Sequence, residues 1–300
     1  MSDPLVSIVL PTYNGSRHIA QSIESCLNQT YRELEIIVVD DASTDDTPAI
    51  VDGFLRKDGR VRCIRHPVNR KLPAALNSGF AHCRGKLQTW TSDDNFYTPD
   101  AIAAMAEALN SNAGVDIVYA NQTIVDEAGA EVGPWNNGPI HHLIYRNCIG
   151  GCFLFRQAVC RDVGGYNEES FLVEDYEFWL RASLRHRFTH LERPLYFYRE
   201  HPGSLTAQHA AAIHDAKSKL QMRMIGRLHW LDRHIRGRRL LELTRFGREK
   251  NDKALVLECL LGALPNAPLA VLRYAVCVLA GRLPPELADS TDPKHPEGRV

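Results

Sequence analysis

Residues 34–39 read Leu-Glu-Ile-Ile-Val-Val and stop at Asp40-Asp41. A run this short is a strand rather than a helix. Because it lacks polar alternation it must be covered on both faces, as in a parallel sheet flanked by helices. The same plan repeats around it. Residues 6–10 form a strand, and Ser16 opens a helix with Ile19, Ile23, Cys26 and Leu27 on one face. Thr47-Pro48 starts a second helix (Ile50, Val51, Phe54), residues 61–65 a third strand, and residues 73–83 a third helix. Residues 86–95, Lys-Leu-Gln-Thr-Trp-Thr-Ser-Asp-Asp-Asn, form a fourth strand that ends in two carboxylates. Thr98-Pro99 then opens a helix carrying Ile102, Met105, Ala106 and Leu109. Four β/α units in succession predict a doubly wound, mainly parallel α/β sheet with right-handed crossovers.

Three of the four strand ends carry polar clusters: Thr12-Tyr13-Asn14, Asp40-Asp41 and Asp93-Asp94. In an open α/β sheet that edge is where ligands bind. Neighbouring carboxylates repel unless a cation or a ligand's hydroxyls satisfy them. Taken alone, Asp93-Asp94-Asn95 reads equally well as a solvated turn; three such strand ends together favour a ligand edge. Its chemistry suits a nucleotide. Tyr13 offers a ring for a base, Asp40 can accept the imide N–H of uracil or thymine, and Asp93 and Asp94 can hold ribose hydroxyls and a divalent metal. No GxGxxG follows the first strand and no P-loop is present. Phosphate charge therefore falls to metal and to side chains such as Arg70 or Lys71.

Composition narrows the class. With 300 residues and 44% hydrophobic content the chain can bury one large core or two small ones. Its eight cysteines lack CxxC spacing and read as reduced thiols, with no zinc pattern in Cys148, Cys152 and Cys160. There is no basic segment followed by a signal-peptide core, and no stretch of the ~20 apolar residues needed to span a bilayer. The expected location is the cytoplasm.

The residues resemble a family. Ser7-Ile8-Val9-Leu10-Pro11-Thr12-Tyr13-Asn14 and Val38-Val39-Asp40-Asp41-Ala42-Ser43-Thr44-Asp45 are similar to the opening signature of family 2 glycosyltransferases with the GT-A fold. Asn69, Ala74-Ala75, Asn77, Gly79 and the turn Ser92-Asp93-Asp94-Asn95 extend the likeness, which runs to about Thr206. It implies an inverting transferase, a UDP- or dTDP-sugar donor, and Mn2+ or Mg2+. Pro11, Thr12, Tyr13, Asn14, Asp40, Arg70 and Asp93 would bind the donor nucleotide, and Asp93, Asp94 and His201 the metal. The sequence departs from the pattern at Thr91, where the first Asp of Asp-x-Asp is expected. Which of Asp93 and Asp94 touches the metal therefore stays open. By the same resemblance Asp175, in Glu174-Asp175-Tyr176, is the general base. Glu174, Trp135 and Arg199 fall on the acceptor or diphosphate side. Read without the family, Glu174 only complements a helix start, Trp135, His141 and His142 pack, and His201 is a loop histidine.

The middle of the chain is less regular. Residues 115–120 form a strand, 123–132 a hairpin around Asp126-Glu127-Ala128-Gly129, 135–149 a loop, and 152–155 a strand before a helix closed by Gly164-Gly165. Residues 194–200 form a further strand. Residues 1–206 carry 19 Lys and Arg against 26 Asp and Glu, and 207–300 carry 16 against 10. The predicted layout is a catalytic domain over 1–206, with a nucleotide half at 1–100 and an acceptor half at 101–206. A helical extension over 207–288 and a disordered tail over 289–300 follow. In the extension Met224, Leu228, Leu231 and Ile235 share a helix face amid Arg223, Arg227, Arg233, Arg236, Arg238 and Arg239, and apolar helices follow at 254–264 and 269–283. The basic helix either lies on an anionic membrane beside a lipid-linked or other saccharide acceptor, or packs on the body or on a second subunit. No nucleic-acid partner is expected. Two other functions compete: a catalytically silent nucleotide-sugar-binding or scaffold protein, motivated by Thr91, and a nucleotidyltransferase. The latter usually carries a glycine-rich basic loop that Pro11-Thr12-Tyr13-Asn14-Gly15 lacks.

Overall fold

The first strands, β1 (Val6–Thr12) and β2 (Leu34–Asp40), are buried along their whole length in a computed structural model that describes residues 3–279. Their side chains alternate between two cores. Val6, Ile8, Leu10, Ile36 and Val38 join Ile23 of α1 (Ile19–Leu27) and Ile102 and Met105 of α4 (Ala101–Ser111) on one side. On the other side lies α3 (Leu72–Ala81). A Cβ on its Gly79 would meet Val9 Cγ1 at 2.3 Å and Val39 Cγ2 at 3.1 Å, so this helix sits on the sheet only because that residue is glycine. Fully burying an aliphatic side chain stabilises the fold by about 1.5–3 kcal/mol, and the double burial seen here accounts for the unbroken apolar strands.

Among the described residues, nine strands form one sheet. β3 (Val61–Arg65), β2, β1 and β4 (Leu87–Trp90) run in that order and parallel, with α2 (Thr47–Lys57) among the crossovers. The sheet continues as β8 (Phe153–Arg156), β6 (Ile117–Val125), β9 (Phe188–Arg199) and β5 (Phe96–Tyr97). Here β4–β8, β6–β8 and β5–β9 are antiparallel and β6–β9 is parallel, while β7 (Glu131–Trp135) forms the expected hairpin with β6. The second half of the sheet is thus mixed.

Three local readings change. The first helix starts at Ile19, not Ser16, because Asn14 adopts a positive φ of 55° and Ser16 N–H bonds Asp45. β9 begins at Phe188 rather than at residue 194. Its register against β6 shifts around Asn121, which absorbs the exposed Glu192 and Arg193 ahead of Pro194. The basic helix face is also broken. α7 (Leu205–Ile225) ends before Gly226, and Asp232 caps α8 (Arg233–Glu249) by accepting from His234 N–H and Ile235 N–H. Met224, Leu228 and Leu231 are buried, whereas Ile235 is 42% exposed. A glycine and a strong N-cap divide what apolar periodicity alone would join.

The chain separates into two compact units, residues 1–213 and a second beginning at His214. The division falls inside α7, which kinks at His209. α9 (Lys253–Ala263) and α10 (Pro268–Leu279) are the last described helices of the second unit, and the end of the helix expected at 269–283 and the expected tail at 289–300 lie outside the described residues. Among the described residues no helix is long and apolar enough to cross a membrane.

Candidate active site

The register sets Thr12 beside Asp40 and Asp40 beside Arg65, so the ends of β1, β2 and β3 share one edge. The loops that leave it are knitted together. Asn14 N–H donates to Ser43 Oγ (2.9 Å), Thr44 N–H to Asn14 Oδ1 (2.8 Å) and Ser16 N–H to Asp45 Oδ2 (3.1 Å). Asn14 therefore shapes the loop with both its backbone and its amide. Pro11 is buried in β1, while Tyr13 stands 51% exposed with its ring presented. Asp40 is buried; its Oδ1 accepts Ser43 N–H (2.9 Å) and its Oδ2 lies 3.7 Å from Arg65 Nε.

Asp41, which the reading of the sequence left without a role, organises the next loop. It accepts N–H bonds from Arg70 (2.9 Å) and Lys71 (2.8 Å), and His66 bridges it (Nδ1, 2.6 Å) to Ser78 Oγ (Nε2, 2.9 Å). Its adjacency to Asp40 at a strand end was the available signal. The Arg70 side chain is left largely in solvent, 3.9 Å from Glu168.

Asp93 and Asp94 diverge. Thr12 Oγ1 donates to Asp93 Oδ2 at 2.5 Å, and a Cβ on Gly15 would come within 2.1 Å of the same oxygen. Burial, reinforced by the charge of Asp94, pushes the Asp93 carboxyl up to about 7. Asp94 turns the other way, its Oδ2 3.1 Å from His201 Nε2, a hydrogen bond that raises the histidine's pKa. Its Oδ1 is buried without a partner. Thr91 is fully buried and bonds Tyr196 OH at 2.7 Å, so its position faces the core. The expected trio Asp93, Asp94 and His201 is thus not drawn together, and among the described residues no three such side chains form a metal-holding group. A carboxylate and an imidazole with an orphaned buried oxygen do fit a divalent ion whose remaining ligands come from outside the protein. Asp94 and His201 would hold it.

Arg199, expected at a diphosphate, is 2% exposed and committed elsewhere. Its Nε donates to Asp94 O (2.9 Å), Nη1 to Asp126 O (3.2 Å) and Glu127 O (2.8 Å), and Nη2 to Gln21 Oε1 (2.6 Å). The Asp126 and Glu127 carbonyls belong to the β6–β7 turn, so the guanidinium, out of solvent and 5.5 Å from the Phe96 ring centroid, clamps that turn to the Asp94 segment.

The second carboxylate centre opens α6 (Glu174–Ala182). Glu174 is 5% exposed with Oε2 lacking a partner; burial and then the charge of Asp175 push it up to about 8. The backbone N–H groups of Glu174 and Leu172 at the helix start favour its ionised form without outweighing burial. Burial also raises Asp175, opposed by Tyr176 N–H (2.6 Å) and by the Asn147 amide, which donates to its Oδ2 (2.7 Å). Asn147 went unnoticed in a stretch read as loop. Trp135 packs edge-on against Tyr198, with ring centroids 5.3 Å apart. Burial raises the Tyr198 hydroxyl's pKa, and the charges of Asp94, Glu200 and Asp175 add to the effect. His141 and His142 pack on each other at 4.8 Å.

A sheet of this order with acidic strand ends on its carboxyl edge has the architecture of the GT-A glycosyltransferases. The chain belongs to glycosyl transferase family 2, whose sequence profile matches residues 7–164. Chondroitin synthase of Escherichia coli is 32% identical over 196 residues, 64% of this chain and 28% of that protein. An uncharacterized glycosyltransferase of Rickettsia prowazekii (strain Madrid E) is 31% identical over 189 residues, 59% of this chain and 58% of the other. The chain thus spans well under two thirds of the length of these relatives. Among solved structures, S. aureus TarS 1-349 in complex with UDP-GlcNAc matches with a TM-score of 0.62 at 17% identity, over 93% of this chain and 92% of that one. The mannosyltransferase from Pyrobaculum calidifontis in complex with GDP-Man and Mn2+ gives 0.55 at 18% identity, over 95% and 78%. At these identities the likeness is one of fold.

Proposed function

We propose that the chain is an inverting glycosyltransferase. It would move a sugar from a UDP- or dTDP-sugar to a hydroxyl of a saccharide or lipid-linked acceptor, with Asp175 as general base. Residues 1–206 would be the catalytic unit. The observation that carries the reading is the Glu174–Asp175 pair: two neighbouring carboxyls, one buried and one half-buried, both raised in pKa, of which Asp175 is further held by a side-chain amide, that of Asn147. Environments that separate two carboxyls in this way assign acid and base roles. The complexes of fold neighbours with UDP-GlcNAc and GDP-Man support a nucleotide-sugar donor.

In the step, the acceptor O–H gives its proton to Asp175 as the oxygen bonds to the anomeric carbon. The bond from that carbon to the diphosphate breaks, and the nucleoside diphosphate leaves with the electron pair. One base and no enzyme nucleophile suffice for this displacement, which inverts the centre. Tyr13 would stack on the base and Asp40 would accept its imide N–H. Asp93, already bonded to Thr12, would take a ribose hydroxyl, and Arg70 is free enough to reach phosphate. Mn2+ or Mg2+ held by Asp94 and His201 would neutralise the departing diphosphate.

Nucleoside diphosphate release from a panel of sugar nucleotides, with Mn2+ or Mg2+ and saccharide acceptors, tests the proposal. Asp175→Asn should lower turnover roughly 10²–10⁴-fold, the usual contribution of a general base, while UDP affinity holds. Near-normal turnover in that variant would remove the base. Loss of UDP binding would move Asp175 to the donor side.

A further inference from the structure

Residues 135–149 read as loop, yet they hold a 3-10 turn at Ile140–Ile144, and the segment 136–151 is tied down by side-chain hydrogen bonds. Asn137 is fully buried: its N–H donates to Asn121 Oδ1 (3.0 Å) and its amide to Ala120 O (2.6 Å) and Ile149 O (2.8 Å). Gln122 Oε1 accepts Gly151 N–H at 3.0 Å, and Gly150 takes a φ of +67° beside the same amide. Tyr176 OH donates to Leu143 O at 2.6 Å, which staples the segment to α6 one residue past Asp175. Asn147 therefore hangs from a rigid frame.

Its amide has a single useful orientation. Oδ1 accepts Ile149 N–H (3.1 Å) in an Asx turn, which leaves Nδ2 to donate to Asp175 Oδ2 at 2.7 Å. Tyr176 N–H holds Oδ1 of the same carboxylate. Each carboxylate oxygen carries two lone pairs, so two remain for an incoming hydroxyl. The charge of Asp175 is felt by Glu174 on its own helix, by Tyr166 ahead of it and by Tyr198 on β9. Against burial, the N–H groups of Tyr176 and Asp175 and the Asn147 amide stabilise the anion.

We infer that Asn147 is a positioning residue for the transfer. Together with the Tyr176 N–H it fixes the Asp175 carboxylate in one rotamer and in the ionised form that can accept a proton. The inference rests on Asp175 being the base.

The test is a carboxyl titration of the full chain, labelled with 13C at aspartate and followed by NMR, the Asp175 signal being identified by its loss in Asp175→Asn. Asn147→Asp keeps an oxygen for Ile149 N–H and replaces only the donor that faces Asp175; Asn147→Ala removes both. A hydrogen bond to a charged group is strong enough that the Asp175 midpoint should rise by about one to two pH units in Asn147→Ala, and further in Asn147→Asp. Should the alanine variant fail to fold, the near-isosteric aspartate variant still decides. A midpoint that stays in place in the folded variants overturns the assignment. The base itself is judged separately: if Asp175→Asn turns over sugar nucleotides normally while the Asn147 variants shift the midpoint, the contact is real and the base lies elsewhere.

Discussion

A guanidinium has five N–H donors in a rigid plane, and where they go decides what an arginine does. At Arg199 four of them go to three backbone carbonyls and a glutamine. Arg199→Met should destabilise the chain by about 1–3 kcal/mol in urea unfolding, because the carbonyls of Asp94 and Glu127 lose a charged donor while that of Asp126 keeps Gly129 N–H. Arg199→Lys should recover little, since one ammonium cannot span the carbonyls of Asp94, Asp126 and Glu127. A variant of undiminished stability that binds UDP more weakly would return Arg199 to the diphosphate. Residue type alone could not separate these roles: a basic residue near a histidine and an acidic strand end reads as a phosphate ligand until its partners are seen. Asp175 differs. Its motif was legible, whereas its partner Asn147, 28 positions earlier, carries no periodic or compositional signal.

At the scale of elements, the parallel half was legible because each strand and helix repeats one short pattern, and its boundaries hold to within a few residues. The segment 136–151 was not. Its order comes from side-chain amides on β6, and such bonds have no spacing rule. Gly150→Ala tests that frame, because a Cβ there would lie 2.3 Å from Gln122 Nε2 on a backbone with positive φ. We expect a loss of roughly 1–3 kcal/mol in urea unfolding. Asp175 should also lose its hydrogen-bonded environment, read by the same carboxyl titration. An alanine variant as stable as the parent would mean that the loop is not held as described. The hairpin of β6 and β7 was legible from its turn, but only the bonds to Arg199 show that the turn also braces Asp94.

Across the first compact unit, charge is stored where β1, β2 and β3 meet the helices. Glu35 is buried; burial alone would raise its pKa, but hydrogen bonds from Ser7 (2.6 Å) and Arg84 and the charge of Arg62 outweigh that and hold it below the ordinary glutamate range. A depressed native pKa gives stability that is present above the unfolded value, about 4.3, and is lost as pH falls through the native one. Stability should therefore decline with acid below about pH 4. Glu35→Gln should start lower at neutral pH and flatten that decline, read as melting temperature against pH. An unchanged slope would assign the acid sensitivity to other carboxylates.

The amino-acid order by itself determined the family, the alternation of strand and helix, and the carboxylates at the strand ends, because these are written in short-range periodicity and contiguous motifs. Only the tertiary structure decided that Asp93 and Asp94 part company, that Thr91 faces Tyr196, that Glu174 is withdrawn from water and that Asn147 meets Asp175. The physical reason is that burial and hydrogen-bond partnership depend on what distant segments bring to the same place, and a carboxylate's role follows from that company more than from its neighbours in sequence.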